Sequence, residues 1–169
     1  MIREDSLPLL EAELNTIQKR SVLYARPGFL IRRLHQIHSG LFLEETSEFN
    51  ITPVQYSLLS ALLEQGELDQ ISLAMEIGLE RTTVAEVLPR LEARGLLERR
   101  QSPLDGRVKL VRIARKGRAL VQRMQDAVKR AHDRTIEALA PAERQLFMLM
   151  MIRLVESSDV PGVAPLRHR

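Results

Sequence analysis

The sequence predicts a mainly α fold carrying one small β-hairpin, and three observations predict it. Apolar residues recur at helical spacing through most of the chain. The period switches to two only in the neighbouring runs 96–100 and 108–113. Gly66, Gly78 and Gly95 fall where helical stretches stop.

The elements follow in order. Leu7–Val22 reads as a lead-in helix. Gly28–Glu45 is a stronger one, with Leu30, Ile31, Leu34, Ile37, Leu41 and Phe42 spread over a broad apolar face. Thr52-Pro53 is a helix start, because Thr caps and Pro needs no N–H in the first turn. The helix Val54–Gln65 carries Leu58, Leu59, Leu62 and Leu63 and ends at Gly66. Asp69 caps a short helix, Gln70–Ile77, expected to point Ile71, Leu73, Ala74 and Ile77 inward before Gly78. Glu80–Arg94 follows, with Val84, Leu88 and Leu91 on one side, and Gly95 stops it. Leu96–Arg100 and Val108–Ile113 read as two strands around the turn-rich linker Ser102–Arg107. A long helix is expected over Arg118–Ala138, with Leu120, Met124, Ala127, Val128 and Ala131 as its stripe, and Pro141 opens a last one to Val155. The tail from Ser157 is rich in Pro and polar residues and reads as loose.

Composition narrows the function classes. The 169 residues are 44% hydrophobic and 28% charged, ordinary for a globular protein. There is no cysteine, so disulfides, thiolate–metal sites and a thiol switch are excluded. The N-terminus is too charged for a secretory signal, and the densest apolar run, Leu146–Ile152, is far short of the ~20 residues a membrane span needs. The expectation is a soluble cytoplasmic protein with no membrane association and no cofactor. No nucleophile–base pair, Gly-rich phosphate loop or carboxylate pair argues for an enzyme.

Two short helices, a tight turn, a third helix and a hairpin make a winged helix-turn-helix. A major groove ~12 Å wide admits one α-helix, so the helix beginning at Arg81 is the candidate reader. Arg81, Thr82 and Thr83 lie in its first turn, and Glu86 and Arg90 share the polar side. Arg pairs with guanine in a bidentate manner; Thr bonds phosphate or touches a thymine methyl. Net charge is +3, yet Arg81–Arg118 holds eleven basic and four acidic residues, a local +7. Such segregation is the electrostatic footprint of a nucleic-acid binder. A winged-helix module that binds protein instead of DNA is the competing reading.

The chain resembles the MarR family of bacterial regulators. The resemblance is carried by Leu73-Ala74-Met75-Glu76-Ile77-Gly78-Leu79-Glu80-Arg81-Thr82-Thr83-Val84, by Arg90-Leu91-Glu92-Ala93-Arg94-Gly95-Leu96-Leu97-Glu98-Arg99, by Ser102–Val111 and by Arg115-Lys116-Gly117. It covers roughly residues 28–155. It implies a homodimer in which the first and last helices of two chains interlock, and a palindromic operator in double-stranded DNA. Family members mostly repress; activation stays open. By the family pattern Asp105 orients the wing and Arg107 reaches a minor groove, whose negative potential favours Arg. Lys109 adds to the cationic wing. Two features depart from that pattern: Gly106 stands where many relatives carry a second basic residue, and Pro89 lies inside the reading helix, where it is expected to kink it.

The resemblance also implies a small-molecule effector between dimer helices and winged lobe, an aromatic carboxylate or its CoA thioester. Candidate contacts are Tyr24, Arg26, Arg32, Arg33, His35, His38, Phe42 and Tyr56: Arg for an anion, the rings for stacking or bonding. His35-x-x-His38 also puts two imidazoles on one helix face, but two ligands do not make a metal site, and none is assigned. Met148, Met150 and Met151 read as adaptable packing or a pocket wall. The division expected is 1–50 N-terminal helices of the dimerisation region, 51–117 winged lobe, 118–158 C-terminal dimerisation helices and 159–169 tail.

Overall fold

A computed structural model describes residues 7–157. The tail expected over 159–169 lies outside the described residues. The chain runs α1 (Leu7–Arg20), a 3-10 turn (Val22–Ala25), α2 (Pro27–Glu45), a second turn (Ser47–Phe49), α3 (Pro53–Gln65), β1 (Leu68–Asp69), α4 (Gln70–Glu76), α5 (Arg81–Ala93), β2 (Leu97–Gln101), β3 (Lys109–Ile113), α6 (Arg115–Thr135) and α7 (Pro141–Glu156).

Local chemistry sets the boundaries. Thr52 and Gln55 form a reciprocal capping box at the start of α3, with Gln55 N donating to Thr52 Oγ1 at 3.3 Å and Thr52 N to Gln55 Oε1 at 3.2 Å. Asp69 Oδ1 accepts from Ile71 N at 2.8 Å and Ser72 N at 3.0 Å, satisfying two donors that the short α4 leaves open. The Ser72 hydroxyl and backbone bonds hold the Asp69 carboxyl below its ordinary range. Gly95 ends α5 at φ 69°, a left-handed conformation that disfavours any side chain.

The sheet is three-stranded and antiparallel, in the order β1-β3-β2. Leu97 faces Ile113 and Arg99 faces Val111 across the hairpin, while Leu68 pairs with Val111 on the other edge. The two-residue β1 adds to the expected hairpin. Residues so few carry no alternation, and their partner lies over forty positions away, so only tertiary pairing reveals the strand. The winged lobe closes over Leu58, Leu62, Leu73, Val84, Leu88, Leu91 and Val111, all fully buried. Each such Leu contributes roughly 1.5–3 kcal/mol by leaving water.

Two local expectations, for Ile71 and for the bounds of α6, need correction. Ile71 is 47% exposed, because the first turn of α4 swings it off the core face that Leu73 and Ala74 occupy. α6 starts at Arg115 and ends at Thr135, not at Arg118 and Ala138: extended Ala114 (φ −78°, ψ 163°) is the last residue before the helix. Pro89 lies inside α5, whose helical assignment runs over Arg81–Ala93. It sits on the exposed side, where the freed Ala85 carbonyl meets solvent rather than core. In α2 only Phe42 is buried; Leu30, Ile31 and Ile37 are at least half exposed in a single chain.

Helix α2 packs along α6 and is tied to it by ion pairs: Arg130 bonds Glu45 at 2.8 Å, and Arg134 bonds Glu44 at 2.9 Å and Glu45 at 2.7 Å. At its other end α6 presses on the start of β2. A Cβ on Gly117 would lie 2.1 Å from the Leu96 carbonyl oxygen, so only glycine fits. Helices α1 and α7 bury none of their residues in the single chain.

Candidate nucleic-acid interface and ligand crevice

Helix α5 stands on its apolar side. Val84, Leu88 and Leu91 are completely buried, while Arg81, Thr82, Glu86 and Arg90 are exposed and Thr83 is half-buried. Glu80 supplies no side-chain cap, so the first-turn N–H groups remain available to an anion such as phosphate.

The wing loop is built by short-range bonds. Ser102 Oγ accepts from Leu104 N and Asp105 N at 3.2 and 3.4 Å. Asp105 Oδ1 accepts from Arg107 N at 2.9 Å and from its Nε at 3.3 Å. One carboxylate thus holds both the backbone and the guanidinium of Arg107, whose side chain is still 93% exposed. Gly106 sits at the exposed apex between them.

The basic segment is less free than its charge suggests. Arg99 pairs with Glu92, tying β2 to the end of α5. Arg100 pairs with Glu67 at 2.6 Å and Arg112 with Glu98 at 2.6 Å, directly across the hairpin. Hydrogen bonds from these arginines hold the Glu92 and Glu67 carboxyls below their ordinary range. Arg94 donates to the Asn50 and Phe49 carbonyls, and Lys116 to the Arg94 carbonyl. Arg81, Arg90, Lys109, Arg115 and Arg118 form no ion pair among the described residues. Exposed pairs are worth only ~0–1 kcal/mol each, so they fix geometry more than they stabilise.

The eight expected ligand contacts separate into groups. His38, Phe42 and Tyr56 line one crevice of about 330 Å³, between α2 and α6 on one side and α3 and α4 on the other. The Phe42 and Tyr56 rings lie 5.6 Å apart. Arg26 lines a separate hollow of about 520 Å³ at the α1–α2 junction, beside Phe29. Tyr24 stacks on Phe29 at 5.7 Å and the Arg32 guanidinium lies 5.5 Å from the same ring. Arg33 bonds Gln36 at 3.2 Å, and His35 is exposed. Among the described residues no group of three or more His, Asp or Glu is placed to hold a metal ion.

Within the crevice His38 stacks on His132, with centroids 4.9 Å apart and planes 16° from parallel. Its Nδ1 lies 2.9 Å from Thr135 Oγ1, which gives its own proton to the Ala131 carbonyl at 2.7 Å. His38 Nδ1 is therefore the donor. Burial, then the neighbouring His132 and His35, push the His38 imidazole below its usual pKa.

Comparison with known proteins gives the frame a family. The model of the MarR family matches residues 51–109. The PcaV transcriptional regulator from Streptomyces coelicolor, solved with its natural ligand, is 36% identical, with 78% of this chain and 93% of PcaV aligned at a TM-score of 0.71. The chain belongs to the MarR family. BpsR from Bordetella bronchiseptica, whose DNA binding is regulated by 6-hydroxynicotinic acid, is 31% identical over 79% of this MarR chain and 95% of its own, TM-score 0.73. The transcriptional repressor CouR, solved on a 23-mer DNA duplex, is 29% identical over 79% and 95%, TM-score 0.73. A MarR-family chain is a DNA-binding transcriptional regulator and not an enzyme.

Sequence reasoning missed His132, Ser57, Ser60, Glu64, Glu76 and Ile77, which also line the crevice of this MarR protein. His132 is 94 positions from His38 and meets it only through α2–α6 packing. Ser60 did leave a trace: it is the polar residue inside the run Leu58–Leu63.

Proposed function

We propose that the protein is a homodimeric cytoplasmic repressor, released from a palindromic operator by a small aromatic carboxylate in the His38–Phe42–Tyr56 crevice. The single observation that carries this reading is the position of the crevice. It touches α2 and α6, and also α3 and α4, the second of which packs against α5. An occupant that prefers one spacing of these two layers shifts the pose of α5, and with it operator affinity. The volume suits one substituted ring. A CoA thioester would have to run its phosphates out of the crevice, towards Arg26, Arg32 and Arg33.

The exposed apolar faces support the dimer. Leu9, Leu14, Leu30, Ile31, Leu149 and Leu154, on α1, α2 and α7, are 50–75% exposed in one chain. A second copy interlocking there would cover them, as in the dimers that MarR regulators form. In this division 51–117 is the DNA lobe and the flanking helices dimerise. DNA contacts are assigned to Arg81, Thr82, Thr83, Glu86 and Arg90 on α5, and to Asp105, Arg107 and Lys109 in the wing. No helix among the described residues is long and apolar enough to cross a membrane, in keeping with a cytoplasmic site of action.

The test is a titration. A duplex selected by the protein from random-sequence DNA is labelled, bound, and titrated with 4-hydroxybenzoate and 6-hydroxynicotinic acid. Release at micromolar to millimolar acid, weakened by Tyr56→Leu, is expected. A selected pool without two-fold symmetry, or no enrichment at all, favours the protein-binding module and ends the reading.

A further inference from the structure

Leu104 is 96% exposed, more than any other large hydrophobic side chain among the described residues. The other exposed ones all lie on helical segments; Leu104 alone stands in the loop between β2 and β3. A single exposed leucine is ordinary on a protein surface, so exposure by itself decides nothing. The way the loop holds it adds a second observation. Ser102 N donates to the Val108 carbonyl at 2.8 Å, and Val108 N to the Asp105 carbonyl at 2.9 Å. Leu104 N donates to Ser102 Oγ at 3.2 Å, and Arg107 N to Asp105 Oδ1 at 2.9 Å. The tip thus presents its leucine on a backbone already tied down, with little freedom left to lose on binding.

The neighbours decide between partners. A protein or lipid surface is met by a contiguous apolar patch. Of the other exposed residues in this loop only Pro103 is apolar, and the cations Arg107 and Lys109 follow. One leucine beside two cations matches a minor groove instead, about 6 Å wide and rimmed by phosphates. Apolar side chains of minor-groove binders meet the bases there directly.

We propose that Leu104 is a specificity-determining residue of the wing: its side chain lies on the minor-groove floor beside the Arg107 guanidinium and selects A·T over G·C pairs. The floor of an A·T pair carries acceptors only, whereas a G·C pair adds the guanine N2 amino group. A leucine pressed onto that group shuts it from water and offers it no acceptor, a penalty that A·T pairs escape. This rests on the assignment of the wing to DNA and extends it: Arg107 supplies charge, and Leu104 supplies base preference under each wing.

The experiment uses the full chain as wild type, Leu104→Ala, Leu104→Met and Arg107→Ala. Hydroxyl-radical footprinting on a duplex selected from random DNA locates the pairs under the wings, and these are then made all A·T or all G·C. Anisotropy gives affinity and its salt dependence on both duplexes. Wild type is expected to bind the A·T duplex about tenfold more tightly than the G·C one. Leu104→Ala should lose about tenfold on the A·T duplex, since two wings each give up a part-buried leucine, and most of the discrimination should go with it. Leu104→Met keeps an apolar side chain of similar reach and should stay near wild type. The salt slope of Leu104→Ala should equal that of wild type, because no phosphate contact is lost. Its melting temperature should hold, because the leucine side chain is open to solvent. A melting temperature several degrees lower would give Leu104 a structural role and overturn the proposal. Equal losses on the A·T and G·C duplexes would overturn it too, as contact without selection. If Arg107→Ala weakens binding while Leu104→Ala binds as wild type, the leucine never meets the groove and the wing assignment stands without it. If both variants bind as wild type, the wing is not on DNA and both readings fall.

Discussion

Replacing Arg107 with Ala tests the wing directly. The side chain is 93% exposed and its intramolecular partner is Asp105, at 2.9 Å from its backbone N and 3.3 Å from Nε. Ala keeps the backbone bond and loses only an exposed ion pair, so the melting temperature should move by no more than a degree or so. On DNA the loss is larger. Each phosphate neutralised contributes about 0.9 to the slope of log K against log salt, so a dimer losing one contact per wing should lose about 1.8. Affinity at fixed salt should fall by about 1–3 kcal/mol per wing, the usual scale of one good groove contact. Arg107→Lys separates charge from geometry. It preserves the slope, because the cation remains, and loses affinity, because a compact ammonium cannot reproduce the planar fork. The assay is fluorescence anisotropy with a labelled operator from about 50 to 300 mM salt, the range over which counterion release is read. An unchanged slope for Arg107→Ala would show that this cation never meets the duplex.

Further predictions follow from other parts of the structure. Arg81→Ala should broaden the base preference at one position of each half-site, read by repeating the selection from random DNA; an unchanged consensus moves base reading away from the first turn of α5. Asp69→Ala removes the cap bonds of α4 and should cost about 1 kcal/mol in denaturant unfolding, with a null effect showing that water replaces the carboxylate. Gly117→Ala drives a methyl to 2.1 Å from the Leu96 carbonyl oxygen, and should destabilise by about 1–3 kcal/mol or more as α6 shifts off β2. The His38 pKa is depressed, chiefly by burial and then by His132 and His35. The unfolded chain therefore binds more protons, and stability should fall as pH drops through the ordinary imidazole value of about 6.5 towards the lowered folded value. His38→Gln should flatten that part of the melting profile; an equally steep profile in the variant places the titration elsewhere.

The lobe was readable where local chemistry decides it. Thr52-Pro53, Asp69 and Gly95 carry their boundary information in their own side chains or lack of one, and the structure uses them as caps and a stop. The alternation after Val108 announced a strand because one of its faces is buried. What stayed hidden was set at long range. Charge counting gave a +7 segment, but could not show that Arg99, Arg100 and Arg112 are already matched to Glu92, Glu67 and Glu98. The crevice was half legible: His38 and Phe42 lie on one apolar helix, whereas His132 and Ser60 become neighbours only after α2, α3 and α6 have packed. Ile71 was misread because periodicity is ambiguous over a seven-residue helix, in which one turn decides which side faces in.

Helix α6 is unbroken from the wing to the crevice. Gly117 near one end is wedged against β2, and Ala131, His132 and Thr135 near the other flank the His38 ring. At 1.5 Å per residue its 21 residues span about 30 Å. A stiff rod of that length is a lever: a five-degree tilt at the ring end sweeps the far end through about 2–3 Å by the same rise per residue. That travel is comparable to a whole hydrogen-bond length, so a molecule no larger than a single ring can unseat two wings from their grooves without unfolding anything.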